Sequence, residues 1–284
     1  MVQNPPRDRP WEELDRLFTY CRRQLSAKPE WRYGPTRVHE VAKEGFDGVS
    51  KFTTLKNKVY CDLGCGNYHP FGVSAVMFLN GAGSTIALDL QDCDKHRAAE
   101  ALADLLCDCC CTNRWNWTGV DKLDFLNKVQ QFDIDALQEG RLEEGLAGLP
   151  LRRILTDIHN PILEENSIDI MTSRAVLEHF LNFGVAVERL FALMRKGGVA
   201  CHHIDLVDHR AYVNPNYHYW SFLAEDDAWS DGLVNRLRSC EIRPYFERAG
   251  FEILHYENRI GKMPDGFITQ VAGRFPCHSC LRIP

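Results

Sequence analysis

The stretch that decides the fold reads Lys58-Val59-Tyr60-Cys61-Asp62-Leu63-Gly64-Cys65-Gly66-Asn67-Tyr68-His69-Pro70. Its first half is a short apolar segment that carries one carboxylate, Asp62, near its end, which predicts a buried strand. Gly64 and Gly66 follow, and they let the backbone turn sharply and approach a ligand because neither has a Cβ. A helix that begins near Phe71 would direct its free N–H groups toward an anionic group. The stretch therefore predicts a strand, a glycine turn and a helix around a ligand.

Two classes of ligand use such a turn. A dinucleotide site favours the pattern G-x-G-x-x-G, and His69 stands where the third glycine is expected. The alternative is a ligand that presents a carboxylate instead of a phosphate. Asp62-Leu63-Gly64-Cys65-Gly66 resembles the first motif of class I S-adenosylmethionine (SAM)-dependent methyltransferases. The resemblance implies SAM as cofactor, S-adenosylhomocysteine as product, and cofactor binding by Asp62, Gly64, Cys65 and Gly66.

Acidic residues at the ends of two later strands extend the resemblance. Asp89 ends a predicted strand over 84–89, about 20 residues beyond the glycines, where a carboxylate holds ribose hydroxyls. Leu90 follows it and is assigned to the same site. A third strand over 151–158 carries Asp157 and Ile158; the resemblance implies that the first binds the adenine amino group and the second packs on the ring. Ser173, at the end of the fourth strand, completes the predicted cofactor set.

The alternation of strands and helices predicts an α/β fold with a doubly wound parallel sheet. The resemblance implies a Rossmann-like, mostly parallel, seven-stranded sheet with one antiparallel edge strand. We predict an N-terminal helical cap over 1–50 and a SAM-binding methyltransferase domain over 51–284. Within that domain, 95–148 is an insertion and 208–240 is a substrate lid.

Four further segments are assigned locally. A helix over 185–195 is predicted to end at Arg195-Lys196-Gly197-Gly198, where glycine follows a cationic last turn. Strand five is then expected over 199–207. Strands six and seven are expected over 251–258 and 267–272.

Histidines at the predicted ends of strands four and five are the candidates for catalysis. SAM carries its own electrophile, so the protein has to align a nucleophile and, where necessary, remove a proton. We predict His203 and His179 as catalytic residues because histidine titrates near neutral pH. His203, Asp205, Asp208 and His209 would alternatively hold a divalent cation. Our prediction includes no metal.

Loops after strand five usually carry specificity in such sheets. We predict substrate binding by five residues, which are Tyr33, His202, Tyr217, Tyr219 and Trp220. The predicted function is methyl transfer to an oxygen or nitrogen atom of a small-molecule metabolite. A nicotinamide-dependent Rossmann oxidoreductase and a non-catalytic subunit with the SAM fold remain as alternatives.

The composition indicates which classes of binding partner to expect. The chain has 284 residues, a formal net charge of −6, and 45% hydrophobic and 25% charged residues. A protein that grips nucleic acid through phosphates shows a basic face, and no strongly basic run exists here. No apolar run is long enough for a membrane span, and the N-terminus lacks a signal-peptide core. We expect a cytoplasmic protein, monomeric or homodimeric, with a small-molecule substrate and neither a nucleic-acid nor a membrane partner.

The twelve cysteines are expected to be free thiols or metal ligands in a reducing compartment. Cys107, Cys109, Cys110 and Cys111 cluster, and Cys277 and Cys280 form one C-x-x-C pair. A structural zinc that joins the two groups is an alternative to a cysteine-rich helix end.

Overall fold

The computed structural model describes residues 34–159, 162–223 and 234–258. The helices within these ranges are α1 (Pro35–Val49), α2 (Gly72–Leu79), α3 (Lys95–Cys111), α4 (Lys122–Val129), α5 (Ile134–Gln138), α6 (Leu142–Gly145), α7 (Phe183–Leu193), α8 (Arg210–Val213) and α9 (Ser239–Ala249). The strands are β1 (Val59–Leu63), β2 (Ser84–Asp89), β3 (Leu151–Leu155), β4 (Ile168–Arg174) and β5 (Met194–His203). Short 3₁₀ turns lie at Asn113–Trp115, Leu177–His179 and Ser221–Leu223.

The five described strands form one sheet in the order β3-β2-β1-β4-β5. β1 lies at the centre and runs parallel to both β2 and β4, and β2 runs parallel to β3. Leu63 at the end of β1 is paired with Leu88 on one side and with Ser173 on the other. This parallel arrangement with connecting helices confirms the predicted α/β Rossmann-like fold.

The centre of the sheet is apolar on both faces. Every residue of α2 is buried, which agrees with a helix whose sequence is apolar nearly all round. Asn80, at the end of α2, donates its side-chain amide to the carbonyl of Trp115 at 2.8 Å and accepts from the N–H of Trp117 at 2.8 Å. Trp115 is fully buried. Trp115 is therefore part of the core, and Trp117 lies partly buried beside it.

Helix α1 packs closely on the sheet through two glycines. A Cβ at Gly45 would lie 3.3 Å from Thr172 of β4, and one at Gly48 would overlap the Sγ of Cys201 in β5. Glycine at these positions allows the helix to approach the strands. The segment predicted as a helical cap over 1–50 thus contains the helix Pro35–Val49, whereas its residues 1–33 lie outside the described residues.

The chain divides into two compact units. The first comprises the described residues up to 157 together with 166–173 and 194–201, so it holds most of the sheet and α1 to α6. The second comprises 158–165, 174–193 and the described residues from 202 onward, and it holds α7, α8 and α9. The domain boundaries predicted from the sequence stay a prediction, although α1 belongs to the same unit as the sheet.

The glycines at 197 and 198 do not end a helix, so that prediction was wrong. Helix α7 ends at Leu193, and β5 begins at once with Met194. Gly197 takes a φ of +77°, and a Cβ at Gly198 would lie 3.0 Å from the carbonyl oxygen of Asp169 in β4. Arg195 donates to the Asp169 carboxylate at 2.8 Å. These contacts hold the segment beside β4 as the start of a strand.

The strand predicted over 251–258 is also absent from the structure, which shows no regular element there. Phe251 packs edge-to-face on Phe191 of α7 at 5.1 Å and on Phe246 of α9 at 5.5 Å. The Tyr256 hydroxyl donates to the carbonyl of Ser239 at the start of α9. Helix contacts thus replace sheet pairing along this segment. The strand predicted over 267–272 lies outside the described residues.

Within the described ranges, each helix is either too short or too polar to cross a bilayer.

Candidate functional site

The glycine turn is fixed to the end of β2 by three backbone N–H groups. Gly64 and Gly66 have φ values of +73° and +75°, which glycine adopts without strain. The N–H groups of Gly64 and Cys65 both donate to the carbonyl of Leu88, at 2.7 and 3.1 Å. The N–H of Gly66 donates to the carboxylate of Asp89 at 2.7 Å. No atom of the described residues lies within 4 Å of the position that a Cβ at Gly66 would take, so the turn borders open space.

Asp89 holds the turn and keeps capacity for a ligand. One carboxylate oxygen accepts from Gly66, and the other accepts from the N–H of Gln91 at 2.8 Å. Each carboxylate oxygen has two lone pairs, so each can accept one further hydrogen bond. Leu90 exposes 74% of its surface beside Asp89. The end of β2 therefore offers acceptors for hydroxyls and an uncovered apolar side chain.

Asp62 lies in the interior at the end of β1, with 5% of its surface exposed. Burial, with a smaller contribution from the negative charge of Asp89, raises the pKa of its carboxyl group to about 7. Burial also raises the pKa of the Cys65 thiol well above its usual range. A cation near Asp62 would favour its ionised form.

Arg153 was not singled out from the sequence, yet it supports the loop that follows β2. Its side chain is 10% exposed, and it donates to the carbonyl of Gln91 at 2.5 Å and to the carboxylate of Asp92 at 3.1 Å. An arginine inside a predicted buried strand was the signal in the sequence. Because these contacts hold the residues just after Leu90, Arg153 is a positioning residue of this site.

The remaining predicted cofactor residues lie near the ends of β3 and β4. The N–H of Thr156 donates to the carbonyl of Asp89 at 3.0 Å, so the chain continues alongside β2 and brings out Asp157, which is exposed. Ile158 is 5% exposed and Ser173 is 3% exposed. Asp157 is thus open to solvent, whereas Ile158 and Ser173 belong to the interior.

In the second unit, the chain leaves β4 through a left-handed residue. Ala175 has a φ of +53° and donates its N–H to the carbonyl of His203 at 2.8 Å. The 3₁₀ turn that follows is held by Asn235, whose backbone N–H donates to the carbonyl of Glu178 at 2.7 Å and whose side chain donates to that of Leu177 at 2.9 Å. Segments far apart in the sequence therefore fix the position of this turn.

Glu178 is 2% exposed, although the sequence analysis gave it no role of its own. Among the described residues, no group meets hydrogen-bond geometry with either of its carboxylate oxygens. The pKa of Glu178 is raised to about 7, mainly by burial and to a smaller extent by the charge of Asp205. The nearby backbone N–H groups of Glu178 and Asp205 lower the pKa by a smaller amount than burial raises it.

Two histidines, an aspartate and a tyrosine surround this carboxylate. His179 Nε2 lies 4.0 Å from Glu178 Oε1, and the His179 ring meets the His209 ring edge-to-face at 5.1 Å. His209 Nε2 lies 3.7 Å from the carboxylate of Asp205, which accepts from the Tyr212 hydroxyl at 2.5 Å. One ligand atom from each of Glu178, His179 and His209 lies within 4.8 Å of the other two. We call these three residues the Glu–His cluster.

The other predicted catalytic and substrate residues occupy separate places in the second unit. His203 is half-buried at the end of β5. The His202 ring lies on Phe246 at 5.7 Å, and burial lowers its pKa to about 4. The Tyr217 ring lies under the guanidinium of Arg210 at 4.3 Å.

Tyr219 packs on Tyr212 at 5.8 Å and is 48% exposed, and the backbone N–H of Trp220 donates to His218 Nδ1 at 3.3 Å. Tyr33 lies outside the described residues. Asp208 is buried in an ion pair with Arg210 at 2.7 Å. Of the residues considered for a cation, the structure therefore places Asp205 and His209 close together and directs Asp208 to an arginine.

The comparisons with known proteins identify the family of the chain. The family model described as a methyltransferase domain matches residues 37–256. A comparison with curated proteins finds no match.

Solved structures with a similar fold include a SAM-dependent methyltransferase from Mesorhizobium loti, at 15% identity and a TM-score of 0.44, over 76% of this chain and 84% of that one. Another is a putative methyltransferase from Haloferax volcanii in complex with the Trm112 methyltransferase activator, at 12% identity and a TM-score of 0.42, over 76% and 72% of the two chains. The [4+2]-cyclase SpnF is 12% identical with a TM-score of 0.44, over 86% and 72%.

The family model covers most of the chain and includes the glycine turn, Asp89 and Asp157. The chain therefore belongs to the methyltransferase-domain family, and it is a SAM-dependent methyltransferase.

Proposed function

We propose that the enzyme transfers the methyl group of SAM to an oxygen or nitrogen atom of a small-molecule metabolite. The observation that supports this proposal most is a group of titratable side chains in the second unit. They form one chain of contacts from His179 to His209, from His209 to Asp205 and from Asp205 to Tyr212. Such groups can bind and deprotonate a polar acceptor. A net charge of −6 without a basic run favours a small molecule over a nucleic acid.

The proposed donor site lies in the first unit. The amino-acid end of SAM would lie along Gly64, Cys65 and Gly66, where the space above Gly66 is open. The ammonium and sulfonium charges of SAM would favour the ionised form of Asp62.

For the nucleoside, we propose that Asp89 accepts hydrogen bonds from the ribose hydroxyls with its two remaining acceptor positions. Asp157 would bind the adenine amino group, and exposed Leu90 would cover the ring. Ile158 and Ser173 are interior residues, so their proposed part is to shape the pocket.

The reaction needs one proton acceptor, because a hydroxyl nucleophile loses its proton on attack and an ammonium group has to lose a proton first, which exposes the lone pair of its nitrogen. A lone pair of the acceptor atom attacks the methyl carbon, the S–CH₃ bond breaks, and its electron pair remains on sulfur, which gives S-adenosylhomocysteine. The acceptor's proton passes to a base, for which we propose His203 or His179. The aromatic side chains at Tyr33, Tyr217, Tyr219 and Trp220, with His202, are the proposed substrate contacts.

Two measurements test this proposal. Calorimetry should show binding of SAM and S-adenosylhomocysteine and none of NAD. Transfer of a labelled methyl group should then be followed over a panel of phenols, sugars, amines, RNA and protein. Labelled small molecules support the proposal, and label that appears only in RNA or protein contradicts it.

The proposed bases are tested with the best acceptor from the panel. His203→Gln or His179→Gln should lower kcat at least 100-fold, in line with the contribution of a general base. His255→Gln is the matched control, because this exposed histidine also has a carboxylate neighbour, Glu257, at 3.6 Å. Full kcat in both variants would show that neither histidine is the base.

A further inference from the structure

Glu178 is the feature that the proposed reaction does not explain. Its carboxylate lies in the interior, and within the described residues no group meets hydrogen-bond geometry with either oxygen. The backbone N–H groups near it offset the effect of burial on its pKa only in part. A buried carboxylate in that condition is costly unless a cation accompanies it. Three arginines of this region have other partners: Arg210 pairs with Asp208, Arg236 donates to the carbonyl of Phe222, and Arg238 donates to the carbonyl of Leu206.

The surroundings of Glu178 provide ligands for a metal ion. The Glu–His cluster offers one carboxylate oxygen and one imidazole nitrogen from each of two histidines, all within 4.8 Å of one another. Two ligand atoms that each lie about 2.1 Å from the same ion are at most about 4.2 Å apart. The distance of 4.0 Å between Glu178 Oε1 and His179 Nε2 meets this limit as it stands. Small rotations of the partly exposed histidine rings would bring the other two distances between ligand atoms within the same limit.

We propose that Glu178, His179 and His209 bind a divalent transition-metal ion. Two imidazoles and one carboxylate suit Zn²⁺, Co²⁺, Mn²⁺ or Fe²⁺, whereas Mg²⁺ prefers oxygen ligands throughout. Three protein ligands leave coordination positions open for an exogenous oxygen or nitrogen ligand. Asp205 lies 3.7 Å from His209 Nε2, where an outer carboxylate orients a ligating histidine.

The site has a consequence for the proposed methyl transfer, and this consequence alone rests on the proposed function. An ion bound by His179 occupies the ring nitrogen that would otherwise take a proton. The function of base then falls to His203, and the open positions of the ion would hold the acceptor atom. Ion binding itself can be measured without any acceptor.

The test uses the full chain after dialysis against a chelator, with Co²⁺ and then Zn²⁺ as probes. We expect one equivalent of Co²⁺ to give visible absorption bands that Zn²⁺ abolishes and Mg²⁺ does not. The twelve cysteines are the competing ligands. A thiolate ligand would add an intense charge-transfer band in the near ultraviolet, and this band should be absent.

The variants assign the ion to the cluster. Glu178→Gln and His209→Gln should each weaken Co²⁺ binding at least tenfold, while His255→Gln, at an exposed histidine–carboxylate pair, binds as the wild type does. Unchanged binding in both cluster variants, a thiolate band, or no Co²⁺ spectrum at all would overturn the proposal; the last result would leave His179 as the counter-ion of Glu178.

Folding and donor binding are followed separately. Circular dichroism and SAM calorimetry on each variant report them, so failure of the donor site is distinguishable from failure of the metal site. If Glu178→Gln does not fold, His209→Gln, at a more exposed ring, decides the question.

Discussion

At the scale of one residue, the buried carboxyl group of Asp62 lowers the stability of the folded chain at neutral pH. The unfolded chain ionises this carboxyl group near pH 4, whereas burial raises its pKa in the folded chain to about 7. Folding therefore takes up a proton between these values, and the native state loses stability as the pH rises from about 4 to about 7. The loss is on the order of 2–4 kcal/mol.

Asp62→Asn removes the buried charge, so we expect it to raise the free energy of unfolding at pH 8 and to change it little at pH 4. Urea unfolding at the two pH values measures the difference. Asp47→Asn is the control, because Asp47 is an exposed partner of Lys43 and should contribute less than about 1 kcal/mol at either pH. An equal effect of Asp62→Asn at both pH values would show that the pKa of Asp62 is not raised in the folded chain.

At the scale of elements, substitutions in and outside the glycine turn distinguish an effect on stability from an effect on SAM binding. Gly66 has a positive φ, and no described atom lies within 4 Å of the position of an added Cβ, so Gly66→Ala meets backbone strain of about 1 kcal/mol and no steric overlap. Gly148 has the same two properties, with a φ of +78°, away from the turn. We expect similar losses of thermal stability in Gly66→Ala and Gly148→Ala.

Calorimetry with SAM should separate the same two variants. A methyl group at Gly66 would fill the proposed donor space, so the affinity of Gly66→Ala should fall at least tenfold while that of Gly148→Ala stays unchanged. Equal affinities would place the donor elsewhere.

The approach of α1 to the sheet gives a second prediction at this scale. A Cβ at Gly48 overlaps the Sγ of Cys201, so Gly48→Ala should lower the free energy of unfolding by about 1–3 kcal/mol despite the better helix propensity of alanine. Cys201→Ala removes the overlapping atom. In a double-mutant cycle, it should therefore recover most of the loss. Additive effects of the two substitutions would show that the overlap is not the cause.

The elements that the sequence predicts well are those with a local signal. The glycine turn and the strand that ends at Asp89 are each predicted from a few consecutive residues. The alternation of strands and helices follows from a series of such local signals. The pair Gly197-Gly198 was misassigned because glycine after a cationic turn is equally suited to a helix end and to a distorted strand. Glu178 and His209 could not be linked from the sequence, since only the folded chain brings their segments together, through the contact of the His179 and His209 rings.

At the scale of the whole molecule, the thiols should not contribute cross-links. Five cysteines of the described residues carry free thiols, namely Cys61, Cys65, Cys93, Cys109 and Cys201. We therefore expect the same melting temperature with and without a reducing agent. A decrease of several degrees on reduction would reveal a disulfide.

The order of alkylation tests the burial of the cysteine cluster. Three of its members, Cys107, Cys109 and Cys110, are buried in α3, and Cys111 is exposed. Burial raises the pKa of the Cys109 thiol, which keeps it in the unreactive protonated form. Mass spectrometry of the native chain should show Cys111 modified before the other three.

The left-handed backbone at Ala175 links local strain to the chemistry of the molecule. An alanine with a φ of +53° is less stable than glycine would be, and the hydrogen bond from its N–H to His203 helps to hold it in that conformation. Ala175→Gly would remove this strain and raise the melting temperature. It would also make the backbone that precedes Glu178 and His179 more flexible. The melting temperature would then rise while kcat falls, and both changes would come from the loss of one methyl group.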